Sequence, residues 1–345
     1  MNDNQDKKSI ESLGEFGLIN HLTSNFKKGQ SSTVLGIGDD CAVLERDKKA
    51  LSLISTDLFI ENIHFDLMYV PLKHLGFKAI SASVSDIYAM NGHCQQVLVG
   101  LAVSSRFPIE ALEELYEGIH RACSFYNIDL VGGDTSSSSK GLMISVTAVG
   151  TVNKNEIAYR SGAKPNDILL ISGDLGRPYL GLQILEREKS VYLANPNIQP
   201  ELTAYDSLVK KQLMPEARRD VVEILKALNV VPTSMIDVSD GLASELLHLT
   251  KESELGCMVY EDKLPYHEDA LLMAGEFNLS PLTCAMNGGE EYELLFSVSP
   301  DDFPKIQGNP HFTPIGYFTG KNESALWIDQ QGSAHDIQAQ GWTHF

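Results

Sequence analysis

The stretch Gly36-Ile37-Gly38-Asp39-Asp40-Cys41-Ala42-Val43-Leu44 constrains the fold of this chain more than any other. It sets two adjacent carboxylates between a Gly-x-Gly turn and a short apolar run. Neighbouring carboxylates repel unless water, hydrogen bonds or a cation compensates. Flanking glycines admit unusual backbone angles and the close approach of a ligand. Alone, such a turn is simply a solvated strand entry. Further short acidic motifs change its meaning: Ser55-Thr56-Asp57, Ser85-Asp86, Gly132-Gly133-Asp134-Thr135 and Asp237-Val238-Ser239-Asp240-Gly241. A fold that gathers these distant carboxylates is organised around one acidic site.

The chain has 345 residues, 43% of them hydrophobic, enough for a sizeable core and two domains. The boundary falls in the polar, Gly/Pro-containing stretch 153–165, giving units 1–152 and 153–345. The net charge of −19, with no basic patch to offset it, argues against a nucleic-acid or anionic-membrane partner. No apolar run reaches the roughly 18 residues of a membrane span. The polar start Met1–Ser9 lacks the apolar region of a secretory signal, so a cytoplasmic protein is expected. Cys41, Cys94, Cys123, Cys257 and Cys284 form no Cys-x-x-Cys. They read as buried free thiols rather than a zinc ribbon or a disulfide framework.

Hydrophobic spacing and turn residues predict interleaved helices and strands in both halves, an α/β or α+β class. In the first half a strand Leu51–Ser55 ends at Thr56-Asp57, and a helix runs from Pro71 to about Met90, carrying Asp86. A strand Val97–Val103 and a helix Ile109–Phe125 follow. Ile128–Val131 is predicted as a short strand with Gly132–Thr135 as its exit turn, then a loop Ser136–Lys140 and a long strand Leu142–Val152. In the second half, strands are predicted at Asp167–Ser172, Met235–Val238, Cys257–Glu261, Tyr292–Val298 and Thr313–Tyr317. Helices are predicted near Gly181–Arg187, over Glu216–Leu228, and from a Ser239-Asp240-Gly241 cap to about Lys251. Residues 188–209 lack a clean period and read as an insertion or helical lid.

Carboxylates and hydroxyls are oxygen ligands, which suit Mg²⁺ or Mn²⁺ rather than zinc. So many carboxylates in one place would repel strongly without cations, and several magnesium ions with a polyphosphate would balance them, as in phosphoryl-transfer sites. The common nucleotide signatures are missing. No Gly-x-x-x-x-Gly-Lys-Ser/Thr occurs, and His120-Arg121 is followed by Ala122 rather than a catalytic-loop Asp.

Taken in order, these motifs resemble thiamine-monophosphate kinases. To those above the resemblance adds Ile63-His64-Phe65, Ser83-Val84-Ser85-Asp86, Arg160-Ser161-Gly162-Ala163-Lys164-Pro165, Gly288-Gly289-Glu290 and the terminal Gly341-Trp342-Thr343-His344-Phe345. No single piece is specific; the ordered set is. The resemblance implies a two-domain, aminoimidazole-ribonucleotide-synthetase-like fold. Its N-terminal sheet would pair with that of a second subunit in a homodimer, and its C-terminal domain would be α/β. It also implies phosphorylation of thiamine monophosphate by ATP with magnesium.

Carried over by resemblance, Asp40, Ser55, Thr56, Asp57, Asp86, Asp134, Asp237 and Asp240 are the metal set. Tyr116, Gly133, Asp134, Arg160 and Ser239 are ATP contacts. His64, Glu290 and Trp342 are contacts to the thiamine phosphate. No protein nucleophile or base is implied. One departure is visible: the family's Gly-Gly-Glu-Asp-Tyr stands here as Gly-Gly-Glu290-Glu291-Tyr292, which leaves the role of Glu291 open. The competing readings are an ATP-dependent synthetase of purine biosynthesis, a selenophosphate synthetase or a hydrogenase-maturation protein. A non-enzymatic, cation-binding scaffold is the fourth.

Overall fold

The computed structural model describes residues 14–341. Its first sheet is built from β1 (Thr33–Leu35), β2 (Ala42–Glu45), β3 (Ala50–Ile60), β4 (His93–Val103), β5 (Asp129–Ser137) and β6 (Leu142–Asn153), in the order β1-β2-β3-β6-β4-β5. Helices α1 (Gly14–Thr23), α2 (Leu72–Ala89) and α3 (Ile109–Tyr126) belong to the same stretch of chain. The second sheet comprises β7 (Ile168–Ser172), β8 (Ser234–Asp237), β9 (Leu255–Tyr260), β10 (Leu294–Val298), β11 (Phe312–Lys321), β12 (Ala325–Ile328) and β13 (Ala334–Asp336). Their order is β13-β12-β9-β11-β7-β10-β8. Helices α4 (Arg177–Ala194), α5 (Asp206–Leu213), α6 (Arg219–Ala227), α7 (Leu242–Ser253), α8 (Glu268–Glu276), α9 (Pro281–Asn287) and α10 (Phe303–Ile306) accompany it. The class is mixed α/β with two sheets, as the sequence predicts.

Helix α2 explains how the halves meet. Fourteen of its 18 residues are buried, so it is covered nearly all round rather than along one stripe, the condition of a helix inside a core. Its small residues Gly76, Ala79, Ala82, Ser83 and Ser85 permit close approach. A Cβ on Gly76 would sit 2.1 Å from the Leu115 carbonyl oxygen of α3. Full burial of Ile80, Val84 and Ile87 contributes about 1.5–3 kcal/mol each. One core cluster joins these residues to Leu170, Met235 and Phe296 of the second sheet, while Leu169, Ile171, Ile236 and Leu295 face a separate cluster on the sheet's far side. This is the period-two alternation of a sheet buried on both faces.

The structure corrects the reading of Gly132–Thr135. These residues are not an exit turn but the middle of β5, which pairs in parallel with β4, Gly100 opposite Asp134. A bulge between Val97 and Leu98 absorbs an extra residue. At Gly133 the backbone comes so close that a Cβ would lie 1.8 Å from the Val99 carbonyl oxygen. The glycine serves strand contact, and the strand runs on through Ser136 and Ser137, shortening the expected loop. Within 188–209, expected as an insertion or helical lid, α4 continues to Ala194 and α5 begins at Asp206. Strands β12 and β13, helices α8 and α9, and the short β1 and β2 have no counterpart in the sequence reading.

Candidate active site

Strand β3 ends the alternation that builds the site. Ser55 and Phe59 are buried while Thr56 and Leu58 are exposed. Ser55 and Asp57 therefore turn inward toward α2, and Thr56 turns to the open face, where its hydroxyl lies 3.1 Å from that of Thr147. On the inner side Ser83 Oγ donates to the Ala79 carbonyl at 3.0 Å, and the Ser55 hydroxyl donates to Asp86. One helical residue earlier, Ser85 Oγ donates to Asp237 Oδ2 at 2.6 Å, tying α2 to the end of β8.

Asp40, Asp86 and Asp237 each bring a carboxylate oxygen within 4.8 Å of the others. They come from the Gly-rich turn, a helix and a strand end, as the acidic motifs predict. Asp57 adds its charge to both Asp86 and Asp237. Burial, then repulsion by Asp57, Asp237 and Asp40, pushes the Asp86 carboxyl well above its ordinary range. Burial and the charge of Asp40 raise Asp237 to about 7. Burial likewise raises Asp40 and Asp57, and raises Asp39 to about 7 with the help of Asp40. Asp40 Oδ2 and Asp57 Oδ2 are buried with no hydrogen-bond partner.

The main counter-charge is Arg160. Its Nη2 and Nε lie 2.6 and 3.2 Å from Asp40 Oδ1, and its backbone N–H donates to Asp39. Burial works against that guanidinium, but Asp40 holds it charged. One arginine against four crowded carboxylates leaves the group under-compensated. An all-oxygen donor set with orphaned buried oxygens fits hard divalent cations.

Around this centre the other expected residues are arranged unevenly. Asp240 lies three residues past the end of β8, and its backbone N–H donates to the buried Glu245 of α7 at 3.0 Å. Gly241, rather than a Ser239 or Asp240 side chain, is the helix N-cap. Ser239 contributes its carbonyl, which accepts from Glu290 N–H at 2.6 Å. Asp134 and Gly133 lie on the exposed edge strand β5, and Tyr116 on the exposed side of α3, outside the three-carboxylate group. His64 sits just past β3, where its Nδ1 accepts from Ile60 N–H at 3.1 Å, which puts the ring proton of the neutral form on Nε2. Trp342 lies outside the described residues. The chain just before it docks beside the site, since Gln340 N–H donates to the Asn287 side chain at 2.9 Å.

Glu290 and Glu291 part company. Glu290 takes a left-handed backbone (φ 63°), and its carboxylate meets Lys78 Nζ at 2.6 Å and Gln212 Nε2 at 2.6 Å. Glu291 is fully buried and accepts from the Gly176 N–H at the start of α4. Its role left open by the sequence is thus to hold the β7–α4 turn. Lys78 was missed in the sequence reading. The available signal was a lone lysine in the apolar run Leu75–Ala82.

Comparison with known proteins fits this geometry. Residues 38–152 match the family model described as AIR synthase related protein, N-terminal domain. Solved hydrogenase maturation protein HypE in complex with ATP shares the fold, with a TM-score of 0.68 at 18% identity over 96% of this chain and 98% of that one. The two sheets thus form an AIR-synthase-like fold. Within that class, the thiamine-monophosphate kinase of Bacillus subtilis is 31% identical, covering 96% of this chain and 100% of the relative. That of Aquifex aeolicus is 33% identical, covering 97% and 99%. The structure of AaThiL complexed with AMPPCP and TMP superimposes with a TM-score of 0.84 at 29% identity, over 99% of this chain and 100% of that one. The chain belongs to the thiamine-monophosphate kinase family.

Proposed function

We propose that this protein transfers the γ-phosphoryl group of ATP to thiamine monophosphate, giving ADP and thiamine diphosphate, with magnesium. The observation that carries the reading is the under-compensated group Asp40, Asp86 and Asp237, with Asp57 beside it, in a chain that spans full-length kinases of that name. Those carboxylates, with Ser55, Thr56, Asp134 and Asp240, would hold several magnesium ions. Bound there, magnesium supplies charge neutralisation for a polyphosphate. Tyr116, Gly133, Arg160 and Ser239 serve ATP, and His64, Glu290 and Trp342 serve the acceptor.

The acceptor's own phosphate oxygen forms the new bond to the γ-phosphorus in line, as the bond to the ADP oxygen breaks. A phosphate ester has a second pKa of about 6, so that oxygen is already ionised at neutral pH and no protein base is required. The chain's residues position the two substrates and exclude water. Residues 1–152 act as the nucleotide, metal and dimerisation unit, and residues 153–345 complete the acceptor site.

The open face of the first sheet carries Leu58, Leu98 and Met143, all more than a third exposed, and this face pairs with a second copy in a homodimer. No helix among the described residues is long and apolar enough to cross a membrane. The five buried free thiols accord with a cytoplasmic setting.

The deciding experiment is ADP release from ATP and magnesium with thiamine monophosphate, free thiamine or no acceptor. ADP with the monophosphate alone, matched by thiamine diphosphate, is expected. Folded protein that binds ATP but turns over none of them would remove the thiamine reading.

A further inference from the structure

Helix α2 buries a lysine that hydrophobic packing does not explain. Lys78 is 4% exposed, and a buried ammonium is costly unless paired and hydrogen-bonded. Its Nζ lies 2.6 Å from Glu290 Oε1 and donates to the Gln212 carbonyl at 3.1 Å. Gln212, itself buried, turns its side-chain Nε2 to the second oxygen of Glu290 at 2.6 Å. Both oxygens of Glu290 are thus gripped from the interior, while its backbone is fixed by the bond to Ser239.

A buried ion pair is weak evidence for stability, since well-packed apolar residues often do as well. This pair is not sealed, however: the Glu290 side chain remains 30% exposed. A carboxylate offers about four lone-pair sites, so two are taken and two remain on the outward side. Those can only accept, so they suit a cation or a hydrogen-bond donor. Lys78 and Ser85 are two helical turns apart and share one stripe of α2. That stripe grips Glu290 at one end and Asp237 at the other, about 10 Å along the axis.

We propose that Lys78 and Gln212 are positioning residues that aim Glu290 at the cationic, N–H-donating side of the phosphoryl acceptor, with α2 fixing its distance from the acidic centre. This rests on the function proposed above, in which the acceptor, thiamine monophosphate, carries both a ring cation and an amino group.

The test is steady-state kinetics and calorimetric binding of thiamine monophosphate and of a non-hydrolysable ATP analogue to wild type, Lys78→Met, Gln212→Leu, Glu290→Gln and the double variant Lys78→Met/Glu290→Gln. Lys78→Met is expected to raise KM for thiamine monophosphate about tenfold, leaving KM for ATP within about twofold. Gln212→Leu should move the same constant in the same direction by less. The double variant should be no worse than Glu290→Gln alone. If Lys78→Met fails to fold, Gln212→Leu decides alone. Equal changes in both KM values, or none, would overturn the inference while leaving the function standing. Wild type that binds the ATP analogue but not thiamine monophosphate would instead remove the function itself.

Discussion

Among the described residues, two sets of buried carboxylates are treated in opposite ways. Glu293 is 2% exposed, yet Lys211 Nζ lies 2.8 Å from one oxygen, while Arg218 and the Ser172 hydroxyl serve the other. Burial alone would raise its pKa, but Lys211 and Arg218 hold it below the ordinary range. At Asp40, Asp57, Asp86 and Asp237 burial raises every pKa, and at Asp86 and Asp237 neighbouring carboxylates raise it further. At Glu293 the chain itself supplies the compensating charge, whereas at the four aspartates Arg160 alone leaves a deficit that a cation from outside would fill.

Four changes would break or sharpen this contrast. Asp86→Asn should lower kcat/KM by about a thousandfold or more. It should also raise the melting temperature of the metal-free protein, because it removes a like charge from a crowded site. A fall in both would place Asp86 with the framework. Glu293→Gln is expected to do the reverse, costing about 3–5 kcal/mol in urea unfolding by stranding Lys211 and Arg218.

Next is pH. The Asp237 carboxyl, at about 7 in the fold against 3.8 in its ordinary state, keeps its proton where the unfolded chain has lost it. The folded state binds more protons across that window, so metal-free stability should fall as pH rises from about 4 to about 7, by up to roughly 1.4 kcal/mol per pH unit. Saturating magnesium should flatten that slope in thermal melts. The smallest effect tests the open sheet face, which carries no charge of its own at Leu98: Leu98→Asp should weaken self-association about tenfold or more in sedimentation velocity.

Much of the site was legible in the sequence because turn-borne carboxylates announce themselves. Asp40 follows a Gly-x-Gly turn, Asp237 closes a short strand ahead of Ser239-Asp240-Gly241, and Asp86 stands in a serine-rich helix. What was hidden depended on pairing partners far away in the chain. Gly132-Gly133 has turn composition, but it lies within a strand, where the β4 backbone leaves no room for a Cβ at Gly133. The role of Lys78 has no local signature, because its partners Gln212 and Glu290 lie more than 130 residues later in the chain. Glu291 differs from its neighbour by no local signal, yet one side chain faces the site and the other the start of α4. Strand β12 could not be read locally because it completes a parallel pair with β9.

The most direct test is a Mn²⁺ titration followed by electron paramagnetic resonance, with a non-hydrolysable ATP analogue present, on wild type, Asp86→Asn and Glu293→Gln. Bound Mn²⁺ should be lost or reduced in Asp86→Asn, and folded Glu293→Gln should bind as wild type does. Undiminished binding in Asp86→Asn, or loss confined to Glu293→Gln, would contradict the assignment of the under-compensated carboxylates as the cation site.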